Sequence, residues 1–313
     1  MKKIVAVRPY LYNDGMHFMN DAFEGWKEIG GTWKNHWWQP RPLHYFFYRY
    51  DIPFSLPQSK KEARLMFVCA STLNFCTYGD YVRYEIVPII WDCWPKFFEQ
   101  TCDFFLKNNV RTAIFTSEHM MERMKARFPN INYLCITEGI NPTPYCMGKE
   151  LKDRTIDLVE FGRSNKEALP SGFQIDGFVH KCSKNGEWVF PTNKELYEGL
   201  ANSKVSLVFP RCDTQPQFAG GIETLTQRYW ECMLSRIVMV GRAPFELVKL
   251  LGYNPVIDID KKNTESQIVE IATNPEKYQS LVDRNREVAL RSCLWASRMK
   301  LVRDFLIEKC YIV

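Results

Sequence analysis

No stretch of the sequence approaches the ~18 consecutive apolar residues that a membrane-spanning helix needs, no segment repeats at a solenoid period, and no tract is of low complexity. Integral-membrane and repeat-array architectures are thereby set aside. Lys and Arg are not gathered into a block: the net charge of +5 is diffuse, which gives no strong nucleic-acid signal but permits attraction to an anionic membrane face or a phosphorylated acceptor. The apolar run Met1–Val7 is cut off by Arg8-Pro9 before it could act as a secretory signal, so a cytoplasmic location, with peripheral association at the inner membrane face, is expected. Cysteine is plentiful at eleven residues, yet no C-x-x-C pair occurs. Scattered among apolar neighbours, these thiols fit reduced core residues better than disulfides or a zinc site.

What is present is a chain of 313 residues with 46% apolar and 25% charged content, enough for two domains that each bury a core. Strands are expected at Lys3–Val7, Arg64–Val68, Tyr84–Ile90, Thr112–Phe115 and Asn132–Ile136, with helices at Met19–Ile29, Lys96–Lys107 and from Ser117 to about Phe128. Composition shifts at Asn141-Pro-Thr-Pro-Tyr145 and again becomes regular after Arg154. The division expected is therefore 1–141, a linker at 142–154, and 155–313, with the last helix packing back on the first domain. In the second domain strands are expected at Ile156–Phe161, Gln174–Phe178, Val205–Phe209, 237–240 and Val256–Ile259, and helices at Asn193–Ala201, after Thr226, from Pro244 as first helical residue, and at Thr264–Thr273, Pro275–Leu290 and Leu294–Lys309. Strands alternating with helices imply an α/β chain of two doubly wound, Rossmann-like domains, facing across a cleft with ligands at the carboxyl ends of the strands.

The most informative stretch runs from Gly220-Gly221-Ile222-Glu223 to Arg228 and Glu231, and on into the apolar 237–240 strand. Glycines at a loop-to-helix junction let backbone N–H groups approach an anion, and the helix start adds the positive end of its dipole. With Thr226 as N-cap, Glu223 lies in the loop and Glu231 in the second helical turn, so the two acids can meet different parts of one long ligand. The spacing alone is weak, since with 22 Glu chance gives about 1.5 pairs eight apart. A second such pair is Glu187 and Glu195. Only Glu223 and Glu231 lie between an apolar strand, a glycine loop and a second strand. Elsewhere, aromatic rings between Trp26 and Phe54 interleave with His36, Arg41, His44 and Arg49, a mixture suited to sugar stacking, a membrane interface or a core. Asp258-Ile-Asp260 reads as a strand end capped by Lys261 and Lys262 and not as a metal motif, so no metal and no cofactor are expected.

The order of strand, Gly162-Arg163, helix, strand ending in Pro210, glycine loop, Glu223, Glu231 and Gly241 resembles the C-terminal domain of GT-B-fold retaining glycosyltransferases of the glycogen-synthase-like group (glycosyl transferases group 1). Thr116-Ser117-Glu118 and Glu138-Gly139-Ile140 resemble that group's passage from first domain to linker. The resemblance implies that Glu231 binds ribose hydroxyls and that Glu223 lies near the donor sugar. It implies that amides around Gly221 and Ile222, with the cations Arg163 and Lys166, hold the donor diphosphate, and that Thr224 and Arg228 are further donor contacts. Lys181, Lys184 and Arg211 are substitutes for Lys166. It also makes the first domain the acceptor domain, with Asp14, Gly15, Asp92 and His119 as candidate acceptor contacts. The function implied is transfer of a sugar from a nucleoside-diphosphate-sugar to a glycan or glycolipid, with retention, in surface polysaccharide synthesis. A nucleic-acid glycosyltransferase of phage type and a non-catalytic nucleotide-sugar-binding protein are the alternatives.

Overall fold

Short apolar runs alternating with amphipathic segments resolve, in a computed structural model of the protein, into two parallel sheets carried by separate units. The structure describes residues 1–9, 17–35, 50, 57–73, 80, 82–163, 168–169, 173–183 and 187–313. The first unit comprises residues 1–140, 218–222 and 294–313; the second comprises 141–217 and 223–293.

In the first unit the described strands are β1 (Lys2–Val7), β2 (Trp33–Lys34), β3 (Glu62–Cys69), β4 (Glu85–Trp91), β5 (Thr112–Phe115), β6 (Asn132–Cys135) and the terminal β12 (Tyr311–Ile312). β1 pairs with β12 near its start and with β2 near its end, and the sheet continues β1-β3-β4-β5-β6 with every pairing parallel. Helices α1 (His17–Glu28) and α11 (Trp295–Glu308) share a core with the sheet. Met19, Ala22, Phe23 and Trp26 recur at helical spacing on α1, as do Trp295, Met299, Val302 and Leu306 on α11, and all are buried with Ile4, Leu65, Phe67 and Trp91. Each large side chain so buried contributes roughly 1.5–3 kcal/mol before its entropy loss. The helices approach closely at Gly25, where a Cβ would stand 2.8 Å from that of Trp295. Helices α2 (Phe98–Lys107) and α3 (Glu118–Arg127) follow β4 and β5.

The second unit carries β7 (Ile156–Glu160), β8 (His180–Cys182), β9 (Ser203–Val208), β10 (Val238–Gly241) and β11 (Ile257–Asp258), all parallel, in the order β11-β10-β9-β7-β8. Its helices are α4 (Asn193–Ala201), α5 (Arg211–Thr214), α7 (Gln227–Leu234), α8 (Phe245–Leu251), α9 (Thr264–Thr273) and α10 (Gln279–Ser292); a short α6 (Pro216–Ala219) precedes the 220–222 loop. Leu158, Val205, Leu207, Val238 and Val240 pack with Ile268 and Ile271 of α9 and Val282 of α10. Residues 228–234 of α7 are all buried, so Arg228 and Glu231 are ionisable groups on a helix otherwise sealed into the unit. The segment expected as a linker is fastened by Arg154, whose guanidinium donates to the carbonyls of Met147, Lys149, Ser203, Ser235 and Arg236 at 2.7–3.0 Å. Burial and the neighbouring Arg236 push the pKa of Arg154 down to about 10.

Two local expectations are corrected. The strand expected at Gln174–Phe178 forms instead at His180–Cys182, because Asp176-Gly177 makes a turn closed by the Phe178 N–H on the Ile175 carbonyl at 3.1 Å. Pro244 is extended (φ −69°, ψ 147°) and precedes its helix rather than opening it. The first helical N–H, at Phe245, is taken by the Glu223 carboxylate. Among the described residues no helix is long and apolar enough to cross a membrane.

Candidate functional site

Numbered within the second unit, the strands lie in the order 2-1-3-4-5, which places a topological switch point between β7 and β9. In open parallel sheets ligands bind outside the carboxyl ends of the strands at such a point. β7 leads into Phe161-Gly162-Arg163, β9 into Pro210-Arg211-Cys212-Asp213, and β10 into Arg242. This edge therefore gathers Arg163, Arg211 and Arg242 at three strand ends.

The turn after β7 is fixed from beneath. Gly162 has φ +72°, and a Cβ there would meet Arg228 Nη2 at 2.3 Å. Arg228 donates Nη1 to the Arg163 carbonyl at 2.7 Å, with its guanidinium 5.5 Å from the Phe161 ring centroid. Burial, and then the charge of Arg163, lower its pKa from the ordinary guanidinium value. Arg228 thus braces the Gly162–Arg163 turn. Three residues on, Glu231 accepts the Tyr145 hydroxyl at 3.0 Å, and the Tyr145 ring lies edge-on to Tyr197 with centroids 4.9 Å apart.

Glu223 belongs to an interlock between two loops. One carboxylate oxygen accepts the Phe245 N–H, while the other accepts Arg242 Nη1 at 2.6 Å. In return the carboxylate of Glu246, 2% exposed, accepts the Leu225 N–H at 2.7 Å and the Thr224 hydroxyl at 3.0 Å. Arg242 also forks onto Asp213 through Nε at 2.7 Å and Nη2 at 2.8 Å, and reaches Cys212 Sγ at 3.4 Å. The bond to Asp213, with that to Glu223, raises the Arg242 pKa against the opposing effect of burial. Burial pushes the Asp213 carboxyl up, but the Arg242 bond and charge outweigh it and hold that carboxyl below its ordinary value of 3.8.

A group with a depressed folded-state pKa contributes stability that is complete above its unfolded value and is lost as pH falls through the folded one. The stability difference between the parent and Asp213→Asn should accordingly be constant above about pH 5 and close as Asp213 protonates below its ordinary value. Denaturant unfolding at stepped pH measures this. A difference that widened in acid would contradict the clamp.

The remaining predicted residues are distributed as follows. Asp92 (φ +50°) is exposed after β4 and accepts the Trp94 indole N–H at 2.9 Å; His119 is exposed on α3, after the adjacent β5. Both therefore stand at the carboxyl edge of the first sheet. Gly221 and Ile222 belong to the first unit, and the Ile222 N–H bonds the Ala219 carbonyl at 3.0 Å. Asp14, Gly15, Lys166 and Lys184, like most of the 36–54 aromatic stretch, lie outside the described residues. Lys181 is exposed on β8, and Arg211 Nε donates to Gln215 at 3.1 Å. Asp260 accepts the Lys262 N–H at 3.0 Å and Asn263 Nδ2 at 3.0 Å, a turn at the strand end. Among the described residues no group of three or more His, Cys, Asp or Glu comes together to hold a metal ion. Tyr145, Asp213, Arg242 and Glu246 were not predicted from the sequence.

No protein-family model and no curated protein sequence matches the chain. Its fold, however, is shared with solved structures. HepE from Anabaena, in complex with UDP and glucose, superposes with a TM-score of 0.61 at 9% identity, over 98% of this chain and 100% of that one. Sucrose-phosphate synthase from Thermosynechococcus elongatus gives 0.60 at 10% identity, with 99% of each chain covered. AviGT4, a glycosyltransferase involved in avilamycin A biosynthesis, gives 0.54 at 11% identity, with 97% of each chain covered. At these identities the likeness shows the fold: two Rossmann-like parallel sheets flanked by helices, as in GT-B glycosyltransferases.

Proposed function

We propose that the protein is a glycosyltransferase that takes a sugar from a nucleoside-diphosphate-sugar and passes it, with retention, to a glycan or glycolipid in surface polysaccharide synthesis. The observation that carries the reading is the carboxyl edge of the second sheet. There a braced glycine turn presents Arg163 at the switch point, with Glu231 of α7 and Glu223 of the adjoining loop in the same unit. The complex of HepE with UDP and glucose, a structure of the same fold, supports it further.

The chemistry follows from the residue types. Departure of the nucleoside diphosphate builds negative charge on the β-phosphate, and cations already held in place stabilise that charge without reorganising. Arg163, on the turn that Arg228 pins through a backbone carbonyl, is proposed for that role together with Lys166. Glu231, oriented by Tyr145, would accept ribose hydroxyls, and Glu223 would contact the donor sugar. Asp92 and His119 are proposed for the acceptor, and a peripheral location at the inner membrane face suits a glycolipid.

Uridine or guanosine diphosphate is expected to raise the melting temperature, and the rise should survive EDTA, since protein cations serve the diphosphate in this proposal. Ligand at 100 times Kd stabilises by about 2.7 kcal/mol, well within reach of a thermal-shift assay. A panel of nucleoside diphosphates and their sugars, with and without chelator, is the test. Stabilisation that required added Mg²⁺ or Mn²⁺ would count against it.

A further inference from the structure

The cluster of Asp213, Arg242 and Glu223 brings two carboxylates to a single guanidinium. Its three charges sum to one net negative charge. Arg211, at the start of α5, donates to Gln215, and Lys261, which also acts on Asp213, is exposed and screened by water. The Arg242 side chain is 41% exposed, so the cluster is open to a ligand.

Its hydrogen-bonding capacity is equally defined. Each Glu223 oxygen takes one protein donor, at Phe245 N and Arg242 Nη1, and a carboxylate oxygen has room for a second. Arg242 commits Nε and Nη2 to Asp213 and Cys212 and one Nη1 hydrogen to Glu223. Among the described residues its second Nη1 hydrogen has no partner. The cluster therefore offers acceptors and one donor side by side, which matches a sugar hydroxyl, itself both donor and acceptor. A carboxylate on the sugar can use only the single N–H, and it meets two negative groups.

We propose that this cluster is a specificity determinant that makes the donor subsite select a neutral, hydroxyl-bearing sugar over a uronic acid. The inference rests on the proposed assignment of Glu223 to the donor sugar. Like-charge juxtaposition in a partly buried site is unfavourable, and one net charge about 6 Å away at an effective dielectric of about 40, between that of a protein surface and bulk water, gives a discrimination of about tenfold.

The experiment compares UDP, UDP-glucose and UDP-glucuronate, and the GDP, GDP-mannose and GDP-mannuronate set, by calorimetry on the full chain and on Asp213→Asn. For the nucleotide that binds, the acidic sugar should bind about tenfold more weakly than the neutral one, and the ratio should fall to about threefold or less in Asp213→Asn. In the parent the ratio should also shrink between about 50 mM and about 500 mM salt, as charge repulsion does and steric exclusion does not. Nucleotide binding with equal affinity for the two sugars, or a ratio indifferent to salt, overturns this inference alone. If neither nucleotide binds, the donor-site reading falls and the inference falls with it.

Discussion

Glu231→Ala and Glu223→Ala should each lower kcat/KM by the equivalent of about 2–4 kcal/mol, the range seen when a preorganised polar contact is removed from an active site. The other glutamates eight residues apart, Glu187 and Glu195, provide the control. Glu187 is exposed, and Glu195 closes a capping box with Thr192 at the start of α4, accepting the Thr192 N–H at 3.0 Å while its own N–H reaches the Thr192 hydroxyl at 3.2 Å. Glu195→Ala should therefore remove about 0.5–1.5 kcal/mol of stability, the net worth of a typical hydrogen bond, yet change turnover less than about threefold, as should Glu187→Ala. Because Glu231 and Glu223 also serve the fold, through Tyr145 and through Phe245 and Arg242, melting temperatures must accompany the kinetics, and Glu→Gln variants separate charge from shape. Turnover falling equally in both pairs, or more at 187 and 195, would show that the wrong pair had been chosen.

Most of the strands and helices were legible because period and length carried them: apolar runs such as Thr112–Phe115, and helical spacing such as Met19, Ala22, Phe23 and Trp26. The exceptions have tertiary causes. β12 is two residues long and exists through Tyr311, whose hydroxyl bonds Glu85 and lies 3.1 Å from Thr112 Oγ1, partners some 200 residues away in sequence. The strand lies after Asp176-Gly177 and not across it because the turn these two residues make overrides the β-forming Ile175 and Phe178 on either side. At the site, strand, glycine loop, helix and strand were readable as local pattern, whereas the partners of each acid were not. Nothing near Glu231 announces Tyr145, which is 86 residues distant. Arg242 carried one faint signal, its place directly after a glycine at a strand end. The bond from Arg228 to the Arg163 carbonyl spans 65 residues and has no local signal. Sequence spacing can bring charged residues to one edge of a sheet; which of them face solvent and which neutralise each other depends on packing from distant segments.

Gly241 offers the largest expected stability effect. It ends β10 with φ +146°, and a Cβ built on it would lie 1.9 Å from the carbonyl oxygen of Val208. That oxygen cannot retreat easily, for it accepts the Arg242 N–H at 3.0 Å between paired strands. Gly241→Ala combines an unfavourable backbone conformation with an overlap against main chain in the sheet, so it should cost about 3–5 kcal/mol. Gly252 is the matched control. It has φ +73° at the carboxyl end of α8 and nothing within 4 Å of its would-be Cβ, so Gly252→Ala meets only the left-handed backbone penalty of about 1 kcal/mol. Denaturant unfolding of both variants measures the difference, and equal losses would show that the strand can yield at Gly241. Any shift there also displaces Arg242, the next residue. Since Arg242 offsets one of the two carboxylates it holds, a Gly241→Ala protein that remains folded should reject acidic donors at least as strongly as the parent while losing stability.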